Sequence, residues 1–146
     1  EECRSYIESR YRVKKDKWSR ALAGLSRGSV QTSVIGMTHP DLYGYLGLFS
    51  GFMRRISESD HEKNKHLDAV RDPEQFVKDF RVFFRSIGDC ENETQLGRFM
   101  EDDAYLKHVG LFDSPVHTRI TYPGMRHEWA CWRRAIIDFA QLIFRA

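Results

Sequence analysis

The stretch Ala21-Leu22-Ala23-Gly24-Leu25-Ser26-Arg27-Gly28-Ser29 constrains this chain more than any other. A short apolar run ends in Gly-x-Ser-x-Gly, and a helix-compatible stretch follows. That order predicts a tight strand-to-helix turn with the Ser26 hydroxyl at its apex. The turn strains the serine backbone, so the side chains two residues to either side must be small. Gly24 and Gly28 meet that need, because without a Cβ the strand and the helix can approach closely. A glycine-rich turn with an idle serine would show the same letters. The context on both sides, and partners further along the chain, decide between the two.

A length of 146 residues fits one domain with a real core. The apolar share of 41% and charged share of 30% are those of a globular protein. A net charge of +2 gives no reason to expect nucleic acid or an anionic membrane as partner. No apolar run approaches the length of a membrane span, and the charged opening Glu1-Glu2-Cys3-Arg4 does not read as a signal peptide. Cys3, Cys90 and Cys131 are odd in number and lack metal-type spacing. They read as free buried thiols, with a Cys90–Cys131 bridge as the alternative.

Along the chain, Tyr6, Ile7 and Tyr11 among charges predict an amphipathic helix from Glu2 to about Arg12. Arg12–Trp18 is a basic turn, Arg20–Leu25 a short buried strand, and Arg27 to about His39 a helix that Pro40 ends. Tyr43–Phe52 reads as a second strand running into a loop. Ser57–Asp72 is highly charged with little apolar periodicity, which predicts a solvated insertion or lid within about 54–72. Asp72-Pro73 opens a short helix, with Asp72 as N-cap and Pro73 in the first helical position. Arg81–Ile87 is the third strand, Asn92–Val109 a helix and His117–Tyr122 the fourth strand. Arg126–Phe144 closes the chain as an amphipathic helix with Trp129, Trp132, Ile136, Phe139, Ala140 and Ile143 on one side.

Strands alternating with helices imply a mostly parallel sheet flanked by helices. Active sites of such sheets gather at the carboxyl ends of the strands. Ser26, the Gly88-Asp89-Cys90-Glu91 loop and the Pro123–His127 loop each follow a predicted strand, so all three fall on one edge. A serine hydroxyl needs a base, and the base a carboxylate to orient it. Among the six histidines, only His127 directly follows a predicted strand and opens a helix. His39 precedes Pro40, and His108 and His117 mark element ends. His61 and His66, five apart, do not face one way on a helix and make a poor metal pair. The loop after the third strand offers Asp89, Glu91 and Glu93 as acids. Chain order is then Ser26, acid, His127, the order used by α/β-hydrolases. This chemistry requires no cofactor and no metal.

Here the residues carry a resemblance. Arg20-Ala-Leu-Ala-Gly-Leu-Ser26-Arg-Gly-Ser-Val-Gln-Thr32, followed by His39-Pro-Asp-Leu-Tyr-Gly-Tyr-Leu-Gly-Leu-Phe-Ser-Gly51, resembles the esterase D-like α/β-hydrolases. Within that group it is most similar to the carbohydrate esterase family 1 feruloyl and acetylxylan esterases. Tyr122-Pro-Gly-Met-Arg-His127-Glu-Trp-Ala-Cys-Trp-Arg133 resembles their histidine block, and Tyr6-Ile7-Glu8 with Tyr11-Arg12-Val13 the helix and turn before their elbow. The match spans nearly the whole chain and is weakest through residues 54–75.

The resemblance implies a three-layer α/β-hydrolase sandwich with a mostly parallel sheet, Ser26 as nucleophile and His127 as base. The family pattern puts the acid about three residues after the glycine ending the third strand. That ranks Glu91 first and Asp89, the residue type most members use, as the alternative. The backbone N–H of Arg27 supplies one oxyanion donor, and Trp129 either flanks an aryl acid or packs in the core. Position 27, often methionine in the family, is arginine here, which can alter acyl preference. The family fold has further strands and a loop ahead of the first helix, and that loop supplies the second oxyanion donor. Residues 1–146 are therefore expected to be the C-terminal portion of a single α/β-hydrolase domain. The missing N-terminal half or a second polypeptide would complete it. The implied substrate is feruloylated or acetylated xylan or an oligosaccharide, cleaved through an acyl-enzyme. The alternatives are another ester or thioester, or a non-catalytic α/β-hydrolase-fold binding domain.

Overall fold

The computed structural model describes residues 2–53 and 62–145. Its elements are α1 (Glu2–Arg10), β1 (Ala21–Leu25), α2 (Arg27–Thr38), β2 (Tyr45–Phe49), α3 (Asp68–Arg71), α4 (Pro73–Asp79), β3 (Val82–Gly88), α5 (Glu93–His108), β4 (His117–Tyr122) and α6 (Trp129–Ala140). Short 3-10 turns cover Lys17–Ser19 and Glu62–Leu67. The strands pair in the order β1-β2-β3-β4, and every pairing is parallel. With helices on both faces, this is the three-layer α/β-hydrolase sandwich.

Strand alternation divides the core in two. Leu46, Leu48 and Phe83 point to one face, where they meet Met37 of α2, Val70 of α3, Phe76 of α4 and Leu106 of α5. Tyr45, Phe49, Val82 and Phe84 point to the other, where Cys131, Ala135 and Phe139 of α6 cover them. Successive side chains of a strand face opposite ways, so a central strand covered on both faces is apolar throughout. That accounts for the uninterrupted burial of Tyr45–Phe49.

Local chemistry sets the ends of the elements. The Asp72 carboxylate accepts from Gln75 N–H at 3.0 Å, and Asn92 Oδ1 accepts from Gln95 N–H at 3.0 Å. Each side chain thereby satisfies one amide that a helix start leaves unpaired. β3 begins and ends one residue later than the pattern predicts, because Gly88 pairs with Tyr122 while Arg81 stays outside the strand.

Four expectations need correction. Helix α1 forms, but none of its residues is buried, and Tyr6 is 54% exposed. The segment read as a solvated insertion is packed where it is described, with Leu67 and Val70 in the core; residues 54–61 of that reading lie outside the described residues. Helix α6 is shorter than 126–144, because Glu128 has extended backbone at its start. Its buried stripe is Cys131, Ala135 and Phe139, while Trp129 and Ile136 are exposed. Finally, the three cysteines are free as read and the alternative bridge does not form, but only Cys131 is buried, while Cys3 and Cys90 are exposed.

Candidate active site

The turn between β1 and α2 holds Ser26 at φ 53° and ψ −120°. That left-handed region costs a residue with a Cβ on the order of 1–3 kcal/mol and persists only where the surroundings impose it. Three hydrogen bonds do so here. Ser26 N–H donates to the Phe49 carbonyl at the end of β2 at 2.8 Å. The Ser26 carbonyl accepts from the Ser29 N–H at 3.0 Å and from the Ser29 hydroxyl at 2.6 Å. The two motif glycines prove unequal. A Cβ on Gly24 would run into the backbone carbonyl of Gly28, whereas a Cβ on Gly28 would meet nothing. Close approach therefore demands the first glycine only.

His127 lies in the loop between β4 and α6, and that loop is tied down at several points. Gly124 N–H donates to Asp89 Oδ1 at 2.7 Å, and Cys90 N–H to the Met125 carbonyl at 3.0 Å. The Trp132 ring stands edge-on to the imidazole at a centroid distance of 5.0 Å. So held, His127 Nδ1 lies 2.7 Å from Glu91 Oε2 and its Nε2 lies 2.8 Å from Ser26 Oγ. An ionised carboxylate can only accept, so Nδ1 carries the proton and donates to Glu91. Nε2 is then the acceptor, and the Ser26 hydroxyl donates to it. The other oxygen of Glu91 accepts from Gly88 N–H at 3.2 Å, which fixes the carboxylate plane. The Glu91 side chain is wholly buried and that of His127 is 28% exposed.

The structure thus brings Ser26, His127 and Glu91 into one hydrogen-bonded line. Asp89, the alternative acid, instead braces the loop that carries His127. Arg27 is the first residue of α2, and its N–H is among the amides without an intrahelical acceptor. Trp129 is 70% exposed and sits edge-on to Trp132 at 5.3 Å. It is no core residue, and it helps to line an apolar cavity of about 400 Å³ with Leu25, Phe49, Trp132 and Ile136. Two contributions escaped the sequence reading: the ring of Trp132 against His127, and the bracing by Asp89. Neither leaves a local signal, since both are made across the fold.

The nearby thiols are not rival nucleophiles. The Asp89 carboxylate beside it pushes the Cys90 thiol above its ordinary pKa, and burial does the same to Cys131. Both stay protonated at neutral pH, and the thiolate is the reactive form. Burial likewise raises the pKa of Tyr122, whose hydroxyl donates to Asp138 at 2.8 Å, so it serves as a neutral strut under α6.

A profile of the family described as "Putative esterase" matches residues 1–141. The chain belongs to the putative-esterase family. It is also 31% identical over 141 residues to an endo-1,4-beta-xylanase/feruloyl esterase of Xylanibacter ruminicola, covering 95% of this chain and 16% of that protein. Among solved structures, a feruloyl esterase module from Clostridium thermocellum superposes with a TM-score of 0.74 at 16% identity, over 96% of this chain and 54% of that one. An S-formylglutathione hydrolase from Staphylococcus aureus superposes with a TM-score of 0.66 at 17% identity, over 97% and 57%. This member of the putative-esterase family therefore spans a small part of the xylanase/feruloyl esterase and about half of each solved relative. It carries a serine-hydrolase arrangement within an esterase fold.

Proposed function

We propose that this chain is the C-terminal portion of a serine carboxylic ester hydrolase, in which Ser26 is the nucleophile, His127 the general base and Glu91 the orienting acid. The observation that carries the reading is the line Ser26 Oγ–His127 Nε2 at 2.8 Å and His127 Nδ1–Glu91 Oε2 at 2.7 Å. In the first step His127 takes the hydroxyl proton while Ser26 Oγ bonds to the ester carbonyl carbon. The oxygen of the resulting tetrahedral intermediate accepts from the Arg27 N–H. Collapse expels the alcohol, which receives the proton from His127, and leaves an acyl-serine. Water, deprotonated by the same imidazole, then releases the acid and restores Ser26. Glu91 holds the imidazole in the required tautomer and balances the imidazolium as it forms.

The preferred substrate is a feruloyl or acetyl ester on plant cell-wall xylan. Support comes from the relatedness to a protein named as xylanase and feruloyl esterase and from the shared fold of a feruloyl esterase module. The apolar cavity walled by Trp129 and Trp132 is of a size to accept an aryl acid. A second reading, a thioester or another acyl ester, draws on the equally shared fold of an S-formylglutathione hydrolase. That the domain is completed by further polypeptide is supported by β1, which pairs with β2 alone among the described residues. An open strand edge is a ready site for another strand.

A fluorophosphonate probe followed by intact-mass analysis tests the site. One adduct on the wild type and none on Ser26→Ala is expected. An unlabelled wild type would mean either that the domain is incomplete without further polypeptide or that it is the non-catalytic binding domain. Release of hydroxycinnamate compared with short acyl groups and thioesters then separates the substrate readings.

A further inference from the structure

Ser26 also borders a second cavity, of about 330 Å³, whose wall is one-sided in charge. Among the described residues, Ser26, Arg27, Val30, Phe52, Gln95 and Arg98 line it: two cations and no acid. Four other arginines are ion-paired, Arg20 with Glu8, Arg71 with Asp68, and Arg85 and Arg119 with Asp103. Arg27 and Arg98 have no carboxylate partner among the described residues. Arg98 nonetheless has a fixed seat, with its guanidinium 4.7 Å above the ring of Phe52. The start of α2 adds its positive pole on the same side.

We propose that this cavity receives a carboxylate on the ester substrate, gripped by Arg27 and Arg98, so that the enzyme prefers esters bearing a negative charge near the scissile bond. The inference rests on the reading of Ser26 as nucleophile and narrows its substrate class. Arginine suits the task, because its planar donor fork meets a carboxylate in two parallel hydrogen bonds. Arg98 is a specificity determinant that acts on the substrate, apart from the Ser26–His127–Glu91 line. The charge can sit on the acyl half or on the alcohol half, since Ser26 contacts both.

The test uses binding, so that it does not depend on turnover. Calorimetry on Ser26→Ala compares two pairs of uncleaved esters. Methyl hydrogen succinate against methyl succinamate puts the charge on the acyl half. Meta-carboxyphenyl acetate against meta-carbamoylphenyl acetate puts it on the alcohol half. The charged member of one pair should bind about tenfold more tightly, as expected for hydrogen bonds to a charged group, and the responding pair identifies the half. Adding Arg98→Gln should abolish that ratio, while Arg98→Lys should retain part of it. The neutral ester's affinity reports whether each variant is intact. Equal binding within both pairs, a ratio that survives Arg98→Gln, or no binding of any ester overturns the proposal. Probe labelling of the wild type is a separate result, so the esterase reading and the charge preference can each fail alone.

Discussion

Glu91 and Asp89 are two residues apart, yet they meet different protons, one on the His127 imidazole and the other on a loop amide. Exchanging the first should be far more costly to catalysis. Glu91→Gln is expected to lower kcat on a para-nitrophenyl ester by about 10³–10⁴-fold, because an amide no longer holds the required tautomer or balances the imidazolium. Asp89→Asn keeps an oxygen that can accept from Gly124 N–H and loses only the charge assistance at an exposed bond, about 1 kcal/mol or less, and should act on loop stability more than on chemistry. A larger loss of kcat in Asp89→Asn than in Glu91→Gln would move the acid assignment. The two motif glycines offer a second contrast, read by urea denaturation. Gly24→Ala should destabilise by about 1–3 kcal/mol, as overpacking against the Gly28 carbonyl does. Gly28→Ala, with open space around its Cβ, should be neutral or stabilise by up to about 1 kcal/mol, since alanine is the better helix former. Equal loss in both would mean that the motif's symmetry is structural after all.

At the scale of elements, the alternation of strand and helix and the caps at Asp72 and Asn92 were legible, because both follow from local pattern and local hydrogen bonding. The order Ser26, acid, His127 on one sheet edge was legible for the same reason. The face of α6 was not. Its large apolar residues at 129 and 136 mimic a core stripe yet are exposed, while Cys131 and Ala135 are the residues that let the helix lie close on β2 and β3. Small side chains carry little hydrophobic signal. Arg85 was equally opaque. It lies in the middle of β3, fully buried, with Nη1 2.8 Å from Asp103 and Nη2 3.1 Å from the Phe99 carbonyl, and its guanidinium stacks over Phe99 at 4.4 Å. Asp103 in turn meets Arg119 of β4 at 2.8 Å, and Asp102 accepts from Met53 N–H beyond β2 at 2.7 Å. One charge network therefore ties β3, β4 and the loop after β2 to α5. Removing one partner strands the others in low dielectric, so Arg85→Met should destabilise by about 3–5 kcal/mol in urea. A change under about 1 kcal/mol would show the network to be replaceable by apolar packing.

The whole molecule depends on that same face of the sheet, and this gives its stability a pH dependence. His117 opens β4 with its ring 5.5 Å from the Phe83 ring and 5.4 Å from the Phe112 ring. Its Nδ1–H donates to the Phe112 carbonyl at 2.7 Å, and its Nε2 is buried with no hydrogen-bond partner among the described residues. Protonation would put an unmatched N–H and a charge there. Burial accordingly holds the pKa below the ordinary 6.5, and the cations of Arg85 and Arg119 push the same way while Asp103 opposes them. The folded chain then binds a proton less readily than the unfolded chain. Stability from this group is fully present above about pH 6.5, falls as the pH drops below it, and stops falling once the pH is under the depressed folded value. The urea midpoint should therefore decline between pH 7.5 and pH 5.5 more steeply in the wild type than in His117→Asn. The asparagine amide can keep the bond to the Phe112 carbonyl without titrating. His117 is the one histidine that differs between the two proteins, so the difference between the two slopes isolates it. Parallel slopes would mean that the ring opens to water before it charges, and that the β3–β4 end of the sheet is looser than its packing implies.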